Sequence, residues 1–185
     1  MGKILEVRWH GRGGMGAVTA AELIAKAAIR EGKYAQSFPN FGSERRGAPV
    51  MAFLRISDEV IRVRTNVYEP DVVMVLDPRL MRVVDVTAGI KSGGTIVVNS
   101  VKSPDKVKAE EGYKWAVATI DATKVAREEL GVPIMNTTMM GAFLKITDAV
   151  KLDSVAEELK EHFGKRADGN IKAMERAYKE TVIKE

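Results

Sequence analysis

The chain has 185 residues, of which 45% are hydrophobic and 29% are charged, and it contains no cysteine. That length and apolar fraction predict a single domain, residues 1–185, with a sizeable core. The lack of cysteine excludes disulfides, a catalytic thiol and an iron–sulfur cluster held by thiolates of this chain. Neither a signal peptide nor a run of 18 apolar residues is visible, so we expect a cytoplasmic protein with no membrane partner.

The positive charge is concentrated in the first third of the chain. The net charge is +4, yet residues 8–64 contain ten Lys or Arg against five Asp or Glu. Such an excess predicts a polyanionic ligand, a partner with acidic residues, or simply a solvated basic face. The low aromatic content (6%) and the lack of a nucleic-acid-binding signature argue against nucleic acid as a partner. Two isolated histidines, His10 and His162, are too few to predict a metal site.

A glycine-rich turn follows the first predicted strand. Residues 4–9 alternate as in a strand, and apolar residues recur with helical spacing over residues 17–29. Between them, Gly11, Gly13 and Gly16 fit the G-x-G-x-x-G pattern in a strand–turn–helix context. A helix N-terminus offers free N–H groups and a partial positive charge to a phosphate. The turn is therefore a candidate phosphate site, and the alternative is a tight turn that only packs the helix against the sheet.

The usual dinucleotide interpretation of this pattern needs a second element. An acidic side chain about 20 residues further on, at the end of the second strand, normally binds the ribose of NAD. Here the second strand is predicted over residues 34–38, and its end carries Gln36 and Ser37, with no acid before Glu44. We therefore expect a phosphate-bearing ligand other than NAD.

The next segment combines a loop with a predicted hairpin. Residues 38–49 are rich in Gly and Pro and are predicted to form a loop. Its adjacent Arg45 and Arg46 are suited to bidentate contact with a phosphate, or with a carboxylate of another subunit. Residues 50–56 and 60–65 are predicted to be two paired strands.

The rest of the chain alternates predicted strands and helices. The uninterrupted apolar run at residues 72–76 is typical of a central parallel strand, and strands are also predicted at 95–98 and 116–120. This alternation predicts a three-layer α/β fold with a Rossmann-like, largely parallel sheet, an antiparallel hairpin and C-terminal helices. After the first helix, further helices are predicted at residues 79–87, 105–111, 137–146, 154–163 and 170–181. One more is predicted to begin after Asp121 or Thr123 and to end at residue 130.

The ligand site of such a sheet is expected at the carboxyl ends of its strands. On this interpretation Gln36, Asp77, Asn99 and Asp121 lie at the same edge as the glycine turn. No nucleophile–base pair can be assembled, because the two aspartates are interpreted as helix caps and His10 as a structural histidine. A phosphate-binding surface without catalytic residues predicts one subunit of a larger enzyme.

Four stretches together resemble the gamma subunit of the 2-oxoacid:ferredoxin oxidoreductases. They are VRWHGRGGMGAVT at residues 7–19, QSFPNFGSERRGAPVMAFLRIS at 36–57, IRVRTNVYEPDVVMVLD at 61–77 and NTTMMGA at 136–142. Within that family the chain is most similar to the pyruvate and 2-ketoisovalerate types. The resemblance covers nearly the whole chain.

The resemblance implies an oxidoreductase that decarboxylates pyruvate to acetyl-CoA and reduces ferredoxin. It places thiamine diphosphate and Mg²⁺ on alpha and beta subunits and 4Fe–4S clusters on a delta subunit, which passes electrons to ferredoxin. The gamma chain, inactive alone, then helps bind coenzyme A and holds the complex together. The residues carried over to coenzyme A are Gly11, Arg12, Gly13, Gly14, Met15, Gly16, Ala17, Thr19, Arg45 and Arg46.

Three alternatives to this function remain at the level of the sequence. The first is a gamma subunit that serves a 2-ketoisovalerate:ferredoxin oxidoreductase, either dedicated to it or shared. The second is a stand-alone nucleotide-binding dehydrogenase module. The third is a purely structural subunit that buries partner surface without touching a ligand.

Overall fold

The computed structural model describes residues 3–41 and 47–185. These residues form one seven-stranded sheet with the strand order β2-β3-β1-β4-β5-β6-β7. The strands are β1 (Leu5–Arg12), β2 (Tyr34–Phe41), β3 (Pro49–Ser57), β4 (Val72–Val75), β5 (Thr95–Asn99), β6 (Ala116–Ile120) and β7 (Val182–Lys184). The helices are α1 (Ala17–Arg30), α2 (Pro104–Glu111), α3 (Ala122–Leu130), α4 (Asn136–Thr147), α5 (Leu152–Phe163) and α6 (Ala167–Glu180), with 3-10 turns at Pro78–Arg82 and Gly164–Arg166.

The centre of the sheet is parallel. Strands β1, β4, β5 and β6 run in the same direction, whereas β2, β3 and β7 form antiparallel pairs with their neighbours. All four residues of β4 are buried, as expected for a central strand covered on both faces. The predicted α/β class, with a largely parallel sheet and an antiparallel hairpin, is confirmed.

The hairpin is made of different strands from those predicted. Strand β2 continues through residues 38–41 and pairs with β3 from Tyr34 opposite Ser57 to Phe41 opposite Val50. Because β1 occupies the other edge of β3, no edge of that strand is left for residues 60–65. The predicted strand at 60–65 is therefore wrong, and so is the predicted loop over the end of β2.

Two further expectations are wrong at the level of local structure. The predicted helix over residues 79–87 is only the 3-10 turn Pro78–Arg82, followed by turns. The short strand β7 was not predicted; it pairs with β6 at the far edge of the sheet. Both differences follow from short segments whose conformation is fixed by their neighbours rather than by their own periodicity.

The two faces of the sheet are covered unequally. On one face, Val7 and Trp9 pack in a large core with α1 and α4, and the rings of Trp9 and Phe143 lie 5.9 Å apart. On the other face, a smaller core includes Val73 of β4 and Val107 of α2. Among the described residues, no helix is long and apolar enough to cross a membrane.

Candidate functional site

The glycine turn joins β1 to α1 at the carboxyl edge of the sheet. Gly14 (φ 92°) and Gly16 (φ 79°) adopt left-handed backbone conformations, which residues with a Cβ rarely tolerate. Gly16 is the N-cap of α1, and no side chain caps the helix there among the described residues. The strand–turn–helix context predicted for the turn is confirmed.

Packing leaves little space beside two glycines of the turn. A Cβ atom on Gly16 would lie 2.6 Å from Nδ2 of Asn136, and one on Gly11 would lie 3.2 Å from the Cβ of Ala17. Gly11 and Ala17 are buried, so they join the helix to the sheet rather than face a ligand. In contrast, Gly14 is exposed. Half-buried positions at the turn complete its accessible surface, namely Arg12, Gly13, Met15, Gly16 and Thr19.

The N-terminus of α1 has free hydrogen-bond donors. The first helical bond of α1 runs from the amide of Ala20 to the carbonyl of Gly16 at 2.9 Å, which leaves the three amides before it without a helical acceptor. The first turn contains no acidic residue. The partial positive charge of the helix is therefore not neutralised by its own side chains, and an anion placed there would be stabilised.

A carboxylate connects the turn to two arginines. Asp77, 3% exposed, accepts a bond from Nε of Arg12 at 2.6 Å and from Nε of Arg79 at 2.9 Å. It also accepts from the Arg79 amide at 3.0 Å and so caps the 3-10 turn, as predicted. Burial alone would raise the pKa of Asp77, but the hydrogen bonds from Arg79 and Arg12 outweigh it and hold the pKa below its usual value.

The turn is also bonded to the start of β3. The amide of Gly13 donates to the carbonyl of Ala48 at 3.1 Å, and Nη1 of Arg12 donates to the carbonyl of Gly47 at 3.0 Å. These bonds place the residues that follow segment 42–46 directly beside the turn. Arg45 and Arg46 themselves lie outside the described residues.

A groove of about 680 Å³ opens at the carboxyl ends of β4, β5 and β6. It contains Arg79, so Asp77 connects the turn with this groove. Asn99, predicted at the same edge, is used for structure, since its Nδ2 donates to the Leu76 carbonyl and to Oγ1 of Thr123, both at 2.9 Å. The basic residues of the groove were not predicted from the sequence; they are Arg79, Arg82, Lys102, Lys124 and Arg127.

Gln36 does not lie at this edge. It is level with Arg55 of β3 and therefore with Glu6 near the start of β1, and its Nε2 donates to the carbonyl of Ile61 at 3.2 Å. The prediction places it wrongly because it ends the second strand at residue 38, whereas β2 continues to Phe41 and Gln36 lies near its start. In the structure β3 separates β2 from β1, so the strand position that carries the ribose-binding acid of a dinucleotide site is absent next to the turn.

His10 is a structural histidine, as predicted. It is 3% exposed, and its Nε2 accepts a bond from Nε of Arg8 at 3.1 Å. Burial, together with the nearby Arg8 charge, lowers the pKa of His10 to about 3, so the ring is neutral at physiological pH.

Asp121 caps α3 by accepting a hydrogen bond from the amide of Lys124 at 3.0 Å. Among the described residues no group of His, Asp and Glu is placed to hold a metal ion.

These features define an α/β domain with an open, glycine-lined helix N-terminus at the carboxyl edge of a Rossmann-like sheet. The sequence model of the pyruvate ferredoxin/flavodoxin oxidoreductases matches residues 6–180. The chain belongs to this family, and the resemblance drawn from its motifs is confirmed.

Relatives cover nearly the whole chain. It is 54% identical over 184 residues to the pyruvate/ketoisovalerate oxidoreductases common subunit gamma of Thermococcus kodakarensis, covering 98% of this chain and 100% of that one. It is 53% identical over 178 residues to the pyruvate synthase subunit PorC of Methanothermobacter thermautotrophicus, covering 96% of each chain. The chain is therefore of the gamma (PorC) type, a subunit of an oxidoreductase complex.

Solved structures share the fold. The pyruvate oxidoreductase subunit PORC of Thermotoga maritima superposes with a TM-score of 0.88 at 37% identity, covering 99% of both chains. The 2-oxoglutarate:ferredoxin oxidoreductase of Magnetococcus marinus, solved with 2-oxoglutarate, coenzyme A and succinyl-CoA bound, superposes with a TM-score of 0.80 at 23% identity. That match covers 96% of this chain and 31% of the other, so the same fold forms one part of a longer polypeptide there.

Proposed function

We propose that this chain is the gamma subunit of a pyruvate:ferredoxin oxidoreductase and that its glycine turn binds phosphates of coenzyme A. The observation that carries the proposal is the open N-terminus of α1, with its free amides, left-handed Gly16 and no acidic residue in the first turn. The likeness in fold to an oxidoreductase solved with coenzyme A supports it.

The basic residues beside the turn favour a ligand with several phosphates. Asp77 holds Arg12 and Arg79 at 2.6 and 2.9 Å, which fixes two guanidinium groups between the turn and the groove. Guanidinium groups bind phosphate bidentately, and a buried partner reduces the conformational entropy lost on binding. We assign Arg45 and Arg46, the two residues immediately before Gly47, to the same phosphates.

The remaining chemistry belongs to partner subunits in this proposal. Alpha and beta subunits would hold thiamine diphosphate with Mg²⁺, and a delta subunit would hold the 4Fe–4S clusters that reduce ferredoxin. This chain has no cysteine to ligate a cluster. Its role would be to position coenzyme A as acyl acceptor and to hold the complex together. A shared role in a 2-ketoisovalerate enzyme fits the name of the Thermococcus relative.

The two other classes of function are less well supported. A stand-alone dehydrogenase module lacks support because β3 separates β2 from the turn. The alternative of a purely structural subunit is tested directly by the following experiment.

The test introduces a negative charge at the helix N-terminus. Thr19 is half-buried at the third position of α1, where a glutamate favours helix formation but repels a phosphate. At about 6 Å and an effective dielectric of 20–40, the repulsion amounts to about 1.4–2.8 kcal/mol. Thr19→Glu should therefore raise the KM for coenzyme A roughly 10- to 100-fold in the assembled enzyme, with the KM for pyruvate unchanged.

The matched control is Thr19→Gln, which has the length of glutamate without its charge. We expect it to raise the KM for coenzyme A less than about threefold. If the KM for coenzyme A were equal in the Glu variant and the wild type, the turn would not be part of the coenzyme A site. That result would favour the purely structural subunit.

A further inference from the structure

Residues 61–67, which we call the pinned segment, cross the edge of the sheet opposite the glycine turn. The first and last of these residues are buried. The carbonyl of Ile61 accepts a bond from Nε2 of Gln36 at 3.2 Å, and the carbonyl of Asn66 accepts one from Nη2 of Arg55 at 3.2 Å. The segment is therefore fixed at both ends by side chains of β2 and β3.

Between these fixed points the chain faces solvent. Residues 62–66 are all exposed, and neither Arg62 nor Arg64 has a hydrogen bond or ion pair with any other residue that the structure describes. Large apolar side chains accompany them, since Val60 is 58% and Tyr68 67% exposed. Exposed arginine beside aromatic and aliphatic side chains is the composition of protein interfaces rather than of ordinary surface.

The pinned segment also has a strand-forming sequence without a strand partner. Isoleucine, valine and threonine alternate with arginine over residues 61–65, a pattern that favours a half-buried strand. Within residues 3–41 and 47–185, no backbone group of residues 60–68 hydrogen-bonds to another backbone group. Free strand-competent backbone beside an ordered sheet is the arrangement to which an added strand binds.

We infer that the pinned segment docks an extended, acidic segment of another subunit of the oxidoreductase, with carboxylates two residues apart that face Arg62 and Arg64. Asp58 and Glu69 confine the positive charge to the two arginines between them, which suits a short pair of carboxylates and disfavours a long polyanion such as a nucleic acid. A second copy of this chain would bring like charges together. The surface is separate from the proposed coenzyme A site, because the edge it crosses lies about 20 Å along β1 from Arg12.

Hydrogen–deuterium exchange of the isolated chain and of the assembled enzyme tests the inference. The amides of residues 60–68 should exchange without protection in the isolated chain and at least tenfold more slowly in the complex. The reason is that a partner strand would accept hydrogen bonds from these amides or shield them from water. Equal exchange rates in the two samples would overturn the inference. Protection that arises from self-association of the isolated chain would overturn it as well.

Charge reversal tests the chemistry of the partner. Arg62→Glu with Arg64→Glu should raise the Kd for the partner subunits at least tenfold at 0.1 M salt, and the effect should shrink at 0.5 M salt. The matched control, Lys165→Glu with Arg166→Glu, reverses two exposed charges that lack ion pairs among the described residues. It should change the Kd less than twofold.

The same variants separate this surface from the coenzyme A site. At subunit concentrations that restore assembly, the charge-reversed enzyme should have a KM for coenzyme A within twofold of the wild type. Normal assembly with an increased KM for coenzyme A would instead assign Arg62 and Arg64 to the ligand and refute the docking surface. An equal loss of assembly in both charge-reversed pairs would refute it too, because the effect would then be general.

Discussion

Helices α4 and α6 approach so closely at Gly141 that a single methyl group should separate them. A Cβ atom placed on Gly141 would lie 2.0 Å from the carbonyl oxygen of Met174, 2.9 Å from its carbonyl carbon and 3.1 Å from the Cβ of Ala177. Ordinary contacts of this kind are 3.4 Å or longer. In Gly141→Ala the backbone of one helix would have to retreat by more than an ångström, because the clash is with main chain and no rotamer can relieve it.

Two opposing effects decide the sign of this substitution. Alanine is favoured over glycine inside a helix by about 1 kcal/mol. Overpacking typically costs about 1–3 kcal/mol, and a gap approaching 1 Å also forfeits about a quarter to a half of each dispersion contact across the interface. We expect a net loss of about 2–4 kcal/mol in the free energy of unfolding, which lowers the Tm of a chain of this size by about 5–15 °C.

Thermal unfolding followed by circular dichroism measures this effect, with Gly169→Ala as the matched control. Gly169 lies in α6, where the same substitution gains the same helix propensity but places Cβ 3.0 Å from the Glu129 carbonyl oxygen and 3.1 Å from Cδ2 of Leu130. We expect the Tm of the control to change by less than about 3 °C. A Gly141→Ala variant as stable as the wild type would refute the close approach of the two helices.

Two further predictions concern buried charge and pH. Asp77→Asn removes the charge that pairs with Arg12 and Arg79, and it should lower the free energy of unfolding measured by urea titration by about 2–4 kcal/mol. The control Asp121→Asn changes only a helix cap and should lower the free energy of unfolding by less than about 1 kcal/mol. Similar losses in the two variants would contradict the role of Asp77. Because the pKa of His10 is about 3 in the folded chain, the unfolded chain binds more protons between pH 6.5 and 3. The free energy of unfolding should therefore fall by up to about 1.4 kcal/mol between pH 6 and pH 5, and it should fall less in His10→Gln. If the free energy of unfolding depended on pH in the same way in both proteins, this prediction would be contradicted.

The sequence predicted the elements whose information is local. The sequence predicts strands at residues 72–76 and 116–120 because a short, mainly apolar run bounded by polar residues has few alternatives. Helix α1 was placed from its spacing and from Gly32, which has a left-handed backbone just after the helix. The glycine turn was recognised because its chemistry lies in consecutive residues.

The features that the sequence did not reveal depend on residues far apart in the chain. Residues 60–65 have the pattern of a strand, and only the pairing of β3 on both edges leaves them without a partner. The bond between Arg12 and Asp77 joins residues 65 positions apart, so no local pattern indicates it. The exposed arginines of the groove lie on segments that come together only in the folded chain.

The contact between Gly16 and Asn136 couples the choice of residue at two positions that lie far apart in the chain. The amide of Asn136 occupies the space that a side chain at position 16 would need, at 2.6 Å from where its Cβ would lie. A chimera that takes the turn from one relative and α4 from another would therefore fold well only if the two residues match in size. Directed evolution of the turn would in the same way have to randomise both positions together, although 120 codons separate them.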